Sequence, residues 1–310
     1  MTDYEPPTGR ILKKRQNETE ALRLLVAQRR LYSKAKRWLG ARWIGMLVIG
    51  LAAPVISVIW PSLAVAAGAV AGAWLFLGRT VLLVRQAAIS AHATALREQF
   101  DRDVFGMPNS VAESTMPSPE DIADVTGPDE GLVAIATKEE LIDWYTGIAD
   151  EDPGLSAVPI AQRSNASYTD RLLRTTGVWW STLTAAWMII LIILSIAVNL
   201  SLSAFLLGIV LPLLPAFLDV VQYLMSVRKS ARERADLASS IEKRLTSNED
   251  PIGPEDLIIW QERLYESRKS APDVPDFIYK LRRQKNEAAM AITARRLSNR
   301  AKNKDNDTDQ

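Results

Sequence analysis

Residues 43–84 read WIGMLVIGLAAPVISVIWPSLAVAAGAVAGAWLFLGRTVLLV, and Arg79 is the only charged side chain among them. Residues 179–223 form a second apolar stretch, in which Asp219 is the only charged residue. About 20 apolar residues cross the hydrocarbon core of a bilayer, so each stretch is long enough for two crossings and a turn. The sequence therefore predicts an all-α membrane protein with four transmembrane helices arranged as two hairpins, with helical cytoplasmic segments.

The orientation follows from the distribution of lysine and arginine. The predicted tips, at residues 61–62 and 199–201, carry none, whereas the opposite ends of the crossings carry many: Lys34, Lys36, Arg37, Arg42, Arg79, Arg85, Arg97, Arg163, Arg171, Arg174, Arg228, Lys229, Arg232 and Arg234. Positive charge is retained on the cytoplasmic side, so both termini and the central segment are predicted to face the cytoplasm.

These assignments divide the chain into five parts. The sequence predicts a cytoplasmic amphipathic N-terminal helix (1–42), transmembrane hairpin 1 (43–84), a cytoplasmic helical linker domain (85–177), transmembrane hairpin 2 (178–227), and cytoplasmic C-terminal helices with a disordered tail (228–310). The two halves are loosely alike in order and spacing, which fits parallel internal repeats or coincidence.

The fourth predicted crossing has the most unusual composition. Small and polar residues recur in it at intervals of three or four, which places them along one helix face: Gly208, Pro212, Pro215, Asp219 and Gln222. Another face, with Leu202, Leu206, Ile209 and Leu213, is predicted to contact lipid. An acid at membrane depth should face the bundle or a water path. The polar face therefore fits a pore lining, or a packed interior in which a neighbour satisfies Asp219.

The second predicted crossing carries small residues at a spacing that permits close helix approach. Ala64, Gly68 and Gly72 are each four residues apart, a pattern typical of helix packing in membranes. The pattern leaves open whether the partner helix belongs to the same chain. Arg79, near the cytoplasmic end of this crossing, is predicted to extend its charge toward the interface.

Composition excludes several classes of function. Cysteine is absent and His92 is the only histidine, so thiolate sites, histidine metal sites and a catalytic triad are not expected. No Walker loop or strand–glycine–helix fingerprint is present. With a net charge of +1, the chain is not expected to bind DNA or RNA. We predict a protein that is not an enzyme and that needs no metal or cofactor.

Three helix starts are predicted in the cytoplasmic segments. Ser118-Pro119 and Gly253-Pro254 each place a cap before proline, followed by acidic residues. Residues 137–140, Thr-Lys-Glu-Glu, match a capping box, which predicts a short helix that Gly147 ends.

Five short segments, in order along the chain, resemble the SMODS-associating four-transmembrane (S-4TM) family of pore-forming effectors. They are Arg15-Gln16-Asn17-Glu18, residues 28–36, Asp103-Val104-Phe105-Gly106, Leu141 with Trp144-Tyr145, and Gln162-Arg163-Ser164-Asn165. The resemblance implies an effector of CBASS-type antiphage defence in the bacterial inner membrane. A cyclic oligonucleotide from a neighbouring CD-NTase-type synthase would activate it, and permeabilisation would cause abortive infection.

This resemblance leads to specific expectations. The lipid bilayer and further copies of the chain are the expected partners, because four helices in one chain make a poor wide pore. Arg29, Lys36, Arg163 and Arg171 are candidate contacts for the phosphates of the signal, or simply positive-inside charges. Two alternatives remain open: a non-pore membrane scaffold or adaptor that recruits cytoplasmic partners, and a constitutive small transporter.

Overall fold

The computed structural model describes residues 4–247 and 251–308. The side chains of Pro54, Ser57, Val58, Pro61, Ala64, Leu207, Pro212 and residues 303–308 lie outside this description. Within the described part all regular structure is helical: α1 (Gly9–Arg15), α2 (Thr19–Ile59), α3 (Ala64–Leu77), α4 (Leu83–Phe105), α5 (Pro119–Thr126), α6 (Leu132–Lys138), α7 (Gly154–Ala197), α8 (Leu202–Phe205), α9 (Leu211–Thr246), α10 (Pro254–Ser270) and α11 (Asp276–Thr308).

The helices break where the sequence places the two tips. A 3-10 turn at Pro61–Leu63 separates α2 from α3, and residues 198–201 separate α7 from α8. The helices Val65–Phe105 and Gly154–Ala197 are long and apolar enough to cross a membrane. A third crossing is possible if Leu202–Val210 and Leu213–Thr246, bent by 61° relative to each other, form one span. Four crossings stay a prediction, because residues 43–60 include side chains outside the described part.

The helical core, defined here as the main buried apolar cluster, joins helices that are distant in sequence. Its members come from α1, α2, α4, α6, α7, α9, α10 and α11, and Leu25, Phe100, Ile160 and Leu264 are fully buried in it. Burying such side chains stabilises a fold by about 1.5–3 kcal/mol each. The membrane part, by contrast, buries only 17% and 6% of the most apolar windows of its two candidate spans.

Two π-helical segments interrupt the predicted crossings. One, Gly78–Leu82, joins α3 to α4, and the other, Leu206–Val210, joins α8 to α9. A π turn contains more residues than an α turn, so it rotates the following residues relative to a regular helix. Ile209 and Leu213 are consequently buried, at 5% and 7% exposure, and the prediction that they contact lipid is wrong.

Helix boundaries outside the apolar stretches agree with two of the three predicted starts. Ser118 caps α5 by accepting a hydrogen bond from the Asp121 backbone N–H at 3.1 Å, and α10 begins at Pro254. The predicted capping box is wrong, because the Thr137 hydroxyl donates to the Val133 carbonyl inside α6, which ends at Lys138. The last helix, α11, extends over Asp276–Thr308.

Candidate functional site

Asp219 of α9 is held by two arginines at the end of the membrane part that carries the basic residues. Its exposure is 4%. One carboxylate oxygen accepts a hydrogen bond from Arg42 at 2.5 Å, and the other accepts one from Arg79. Arg42 belongs to α2 and Arg79 to the first π segment, so this Asp219 triad joins three separate helical elements.

Three aromatic rings lie beside the triad. Trp43 of α2 lies 4.5 Å from Trp180 of α7 and 5.5 Å from Tyr223 of α9, measured between ring centroids. The tilted and edge-on geometry of these pairs is the arrangement that aromatic rings prefer. The trio therefore adds an apolar contact among the same helices at the level where the charges pair.

The electrostatics of the triad make it a strong but breakable contact. Breaking a buried ion pair by removing one partner costs about 3–5 kcal/mol, because a charge is left uncompensated. The Arg79 side chain is 54% exposed, so water or a lipid phosphate can replace Asp219 at this arginine. The Arg42 side chain, at 12%, has no such access, and it depends on the acid.

The other predicted pore-lining residues do not share the environment of Asp219. Pro215 and Gln222 are exposed, and Gly208 is partly buried. The side chain of Pro212 lies outside the described residues. Within one chain these positions do not surround a common cavity in the part that the structure describes.

The small residues predicted for helix packing face away from the chain. A side chain built at Gly68 or Gly72 would meet no described atom within 4 Å. The side chain of Ala64 is outside the described part. Ala71 makes the internal contact instead, with 8% exposure beside Met46 and Trp74. The glycine face is therefore unoccupied by the described residues of its own chain.

A buried arginine network in the helical core was missed by sequence reasoning. Glu98 and Asp101 of α4 are fully buried. Arg102 and Arg268 bind Glu98 at 2.8 and 3.0 Å, and Arg97 binds Asp101 at 3.1 Å. Arg268 also donates to Asp101, and Gln261 donates to Glu98 at 2.8 Å.

Several residues of the five resembling segments hold this network in place. The Tyr145 hydroxyl donates to Asp101 at 2.5 Å, and Gln16 accepts from the Tyr145 backbone N–H at 2.7 Å. Burial, followed by the charge of Asp101, raises the pKa of Tyr145, so it stays a neutral donor. Gln162 donates to the Leu257 carbonyl at 2.8 Å. Polar residues on otherwise apolar helix faces were the signal that could have revealed the network.

The structure does not bring the four candidate phosphate contacts together. Lys36 binds Asp276 at 2.7 Å, and Arg163 binds Glu242 at 2.8 Å. Arg171 has no ion pair within the described part of the chain. Arg29 lies over the Tyr279 ring at 4.3 Å and borders a cavity.

That cavity, the cationic cleft, has a volume of about 470 Å³. Its charged lining consists of Arg29, Arg30, Lys138, Lys280, Arg283, Glu139 and Glu140. With more cations than acids, the cleft attracts anions rather than metal ions. Among the described residues, no cluster of His, Asp or Glu is suited to hold a metal.

Comparison with known proteins places these features in a family. Residues 10–297 match the SMODS-associating 4TM effector domain. The chain belongs to the SMODS-associating 4TM effector family. A probable CBASS effector molecule of Bacillus cereus (strain VD146) is 23% identical over 306 residues, which cover 93% of this chain and 98% of that protein. No solved structure matches the chain. As a member of this effector family with apolar helices long enough to span a bilayer, the protein is a membrane effector.

Proposed function

We propose that this effector permeabilises the bacterial inner membrane when a cyclic oligonucleotide, made by a neighbouring synthase during infection, binds its cytoplasmic side. In this proposal four helices cross the membrane as two hairpins, both termini are cytoplasmic, and the infected cell dies or stops growing. Family membership supports the effector role. The observation that carries the membrane mechanism is the Asp219 triad.

The triad supports a closed resting state. It uses the two charged residues found inside the apolar stretches, Arg79 and Asp219, and adds Arg42 from the start of the first crossing. While the triad is intact, Arg79 and Asp219 pair within the chain, and the Asp219 carboxylate is not available to line a water path. Separation of α9 from α2 would expose Asp219 and create the polar surface that an ion-conducting path needs.

The surfaces of the membrane part support a pore built between protomers. Gly68 and Gly72 present a face suited to close helix contact, and the described part of the chain does not cover it. Pro215 and Gln222 are exposed on α9, where a neighbouring protomer can reach them. The proposed oligomer brings these faces together, and Gly208, Pro212, Pro215, Asp219 and Gln222 then line its conducting path.

The decisive experiment measures dye release from liposomes that contain the purified protein, with and without a panel of cyclic oligonucleotides. We expect release only with a matching nucleotide. Asp219→Asn should release dye without any nucleotide, because a neutral amide no longer holds Arg42 and Arg79. The matched control is Asp236→Asn, an exposed position on the same helix, which should behave as the wild type.

Other outcomes would favour other functions. If no nucleotide causes release, and the protein is not toxic beside an active synthase, the proposal is wrong. Phage protection without release, unchanged in Asp219→Asn, would favour the scaffold or adaptor. Growth defects that do not depend on any synthase would favour a constitutive transporter.

A further inference from the structure

Two adjoining cavities on the cytoplasmic side share part of their lining. The first, the aromatic pocket, has a volume of about 320 Å³, and its lining includes Trp144, Tyr145, Tyr168 and Tyr279 together with Ser164 and Asn165. The second is the cationic cleft. Glu140 and Arg283 line both. Ligand sites are usually clefts of roughly this size, apolar and aromatic with a few placed polar groups.

The aromatic pocket holds a hydroxyl that lacks a partner. The Ser164 hydroxyl is buried and forms no hydrogen bond with any described residue. A buried polar group without a partner is costly, so such groups are rare unless something else satisfies them. Ser164 lies on α7 one turn before Tyr168, in the wall of the pocket. A flat ring with polar edges would stack on the aromatic side chains and pair with this hydroxyl.

The cationic cleft has positive charge that its own acids do not neutralise. Lys138 and Lys280 form no ion pair among the described residues, and both are exposed. Arg29 is fixed beside them by its position over Tyr279. Guanidinium groups bind phosphate oxygens in pairs, and ammonium groups add point charges. The cleft therefore suits more than one phosphate group.

Glu140 stands at the junction of the two cavities. Its carboxylate pairs with Arg283, which also donates to the Glu140 carbonyl and to Glu287, each at 2.7 Å. Burial opposes the charge of Arg283, but the hydrogen bond to Glu287 and the nearby acids raise its pKa, so it stays a cation. Glu140 has a positive φ of 55°, which is uncommon for a non-glycine residue and typical of functional segments. Its side chain is 68% exposed and is free to leave.

We propose that the aromatic pocket and the cationic cleft form one nucleotide-binding site. A base enters the aromatic pocket and pairs with Ser164, while phosphodiester groups enter the cleft and displace the Glu140 carboxylate from Arg283. The ligand class is a nucleotide with at least two phosphodiester charges. That this ligand is the activating signal rests on the proposed function.

Binding to the full-length protein in detergent tests the site. The probes are radiolabelled cyclic di- and trinucleotides of adenosine, guanosine and uridine, with unlabelled pyrophosphate and phosphatidylglycerol vesicles as competitors. Lys280→Glu should weaken nucleotide binding about tenfold or more, because it reverses an unpaired charge in the cleft. Lys285→Glu, an exposed position on the same helix outside both cavities, is the matched control and should bind as the wild type.

Two further variants separate the halves of the site. Ser164→Ala should weaken nucleotide binding about fivefold to tenfold, since one hydrogen bond is lost, but leave competition by pyrophosphate unchanged. Its melting temperature without ligand should not fall, because the hydroxyl has no partner to lose. Glu140→Gln should bind the nucleotide and pyrophosphate more tightly, because it removes the charge that competes with phosphate for Arg283.

The outcomes distinguish this site from the proposed function. Absence of binding by both the wild type and Glu140→Gln overturns the site. So does full displacement by phosphatidylglycerol with no effect of Ser164→Ala, which would make the cleft a lipid-headgroup site. If a nucleotide releases dye but Lys280→Glu and Ser164→Ala respond normally, the site is wrong and the function stands. Binding at this site without dye release leaves the site standing and overturns the pore function.

Discussion

The helical core and the membrane part of this effector differ in how their helices are held. In the core, buried aliphatic and aromatic side chains surround a network of three arginines and two acids. In the membrane part, the apolar windows are largely exposed, and the Asp219 triad and one aromatic trio supply the polar and ring contacts. Apolar surface gains no hydrophobic free energy from burial against another helix when lipid is the alternative, so packing and polar contacts must hold these helices. The core therefore fixes the fold, and the membrane helices remain able to repack.

The largest expected effect comes from breaking the core network. Glu98→Ala removes the buried acid that Arg102 and Arg268 share. Arg268 keeps Asp101 and Arg102 keeps the more exposed Glu262, but the excess of buried positive charge should destabilise the protein by about 3–5 kcal/mol. Denaturant unfolding in detergent, followed by helical circular dichroism, measures this loss. Glu266→Ala removes an exposed pair with Lys269 and should cost no more than about 1 kcal/mol. Equal losses in the two variants would contradict the central place given to the network.

The Asp219 triad should contribute less to stability than the core network. Asp219→Asn should cost about 1–3 kcal/mol, because Arg42 loses a buried partner while Arg79 can turn to solvent. A double-mutant cycle with Arg42→Met isolates the interaction of the pair. Additive effects of the two substitutions would show that the ion pair does not join α2 to α9.

An effect of similar size is expected in the segment that lines the aromatic pocket. Gly147 has a φ of 82°, and a Cβ there would lie 2.7 Å from the Ala291 carbonyl oxygen. Gly147→Ala should cost about 1–3 kcal/mol through backbone strain and displacement of α11. Gly131→Ala is the control, since the nearest atom there is 4.0 Å away. Thermal unfolding compares the two, and an unchanged melting temperature for Gly147→Ala would contradict the close approach of α11.

The smallest effect on a single chain is expected at the outward glycine face. A Cβ at Gly72 would meet no described atom within 4 Å, so Gly72→Leu should change stability by less than about 0.5 kcal/mol. It should nevertheless reduce cross-linked oligomers in membranes, if neighbouring protomers use this face. Gly45→Ala is the opposite case. Its Cβ would lie 2.0 Å from a carbon of the Trp74 ring, so this substitution should destabilise the single chain. Oligomers that form normally in Gly72→Leu would exclude this face from the assembly.

The sequence predicted the helical fold and the helix breaks because these depend on local properties. The length of an apolar stretch and the prolines and polar residues at its tip are local features of the sequence. They located the helix breaks at residues 60–63 and 198–201 without a structure. The sequence could not show which face of the fourth crossing is buried, because the π segment Leu206–Val210 leaves no clear sequence pattern. Ile209 and Leu213 were misplaced for that reason.

The candidate sites depend on contacts between distant parts of the chain. For that reason the sequence predicted only some of their residues. Asp219 was recognisable as an acid in an apolar stretch, and a satisfying neighbour was one of its two interpretations. Its partners, 177 and 140 residues away, were not identified. Arg29 was named as a phosphate contact, but Lys138, Lys280 and Arg283 were missed because they come from other helices. Glu140 was assigned to a helix that does not form.

Helix α7 extends from the aromatic pocket to the aromatic trio without interruption. Its single proline, Pro159, precedes Ser164, and the 16 residues from Ser164 to Trp180 span about 24 Å of regular helix. A continuous helix is a rigid element, so a rotation about its axis at one end also rotates the side chains at its other end. If a base enters the aromatic pocket as proposed, we expect any rotation of α7 at Ser164 to reach Trp180, beside Trp43 and Tyr223. Insertion of one residue between the two positions would rotate them by about 100° relative to each other and should uncouple ligand binding from the membrane.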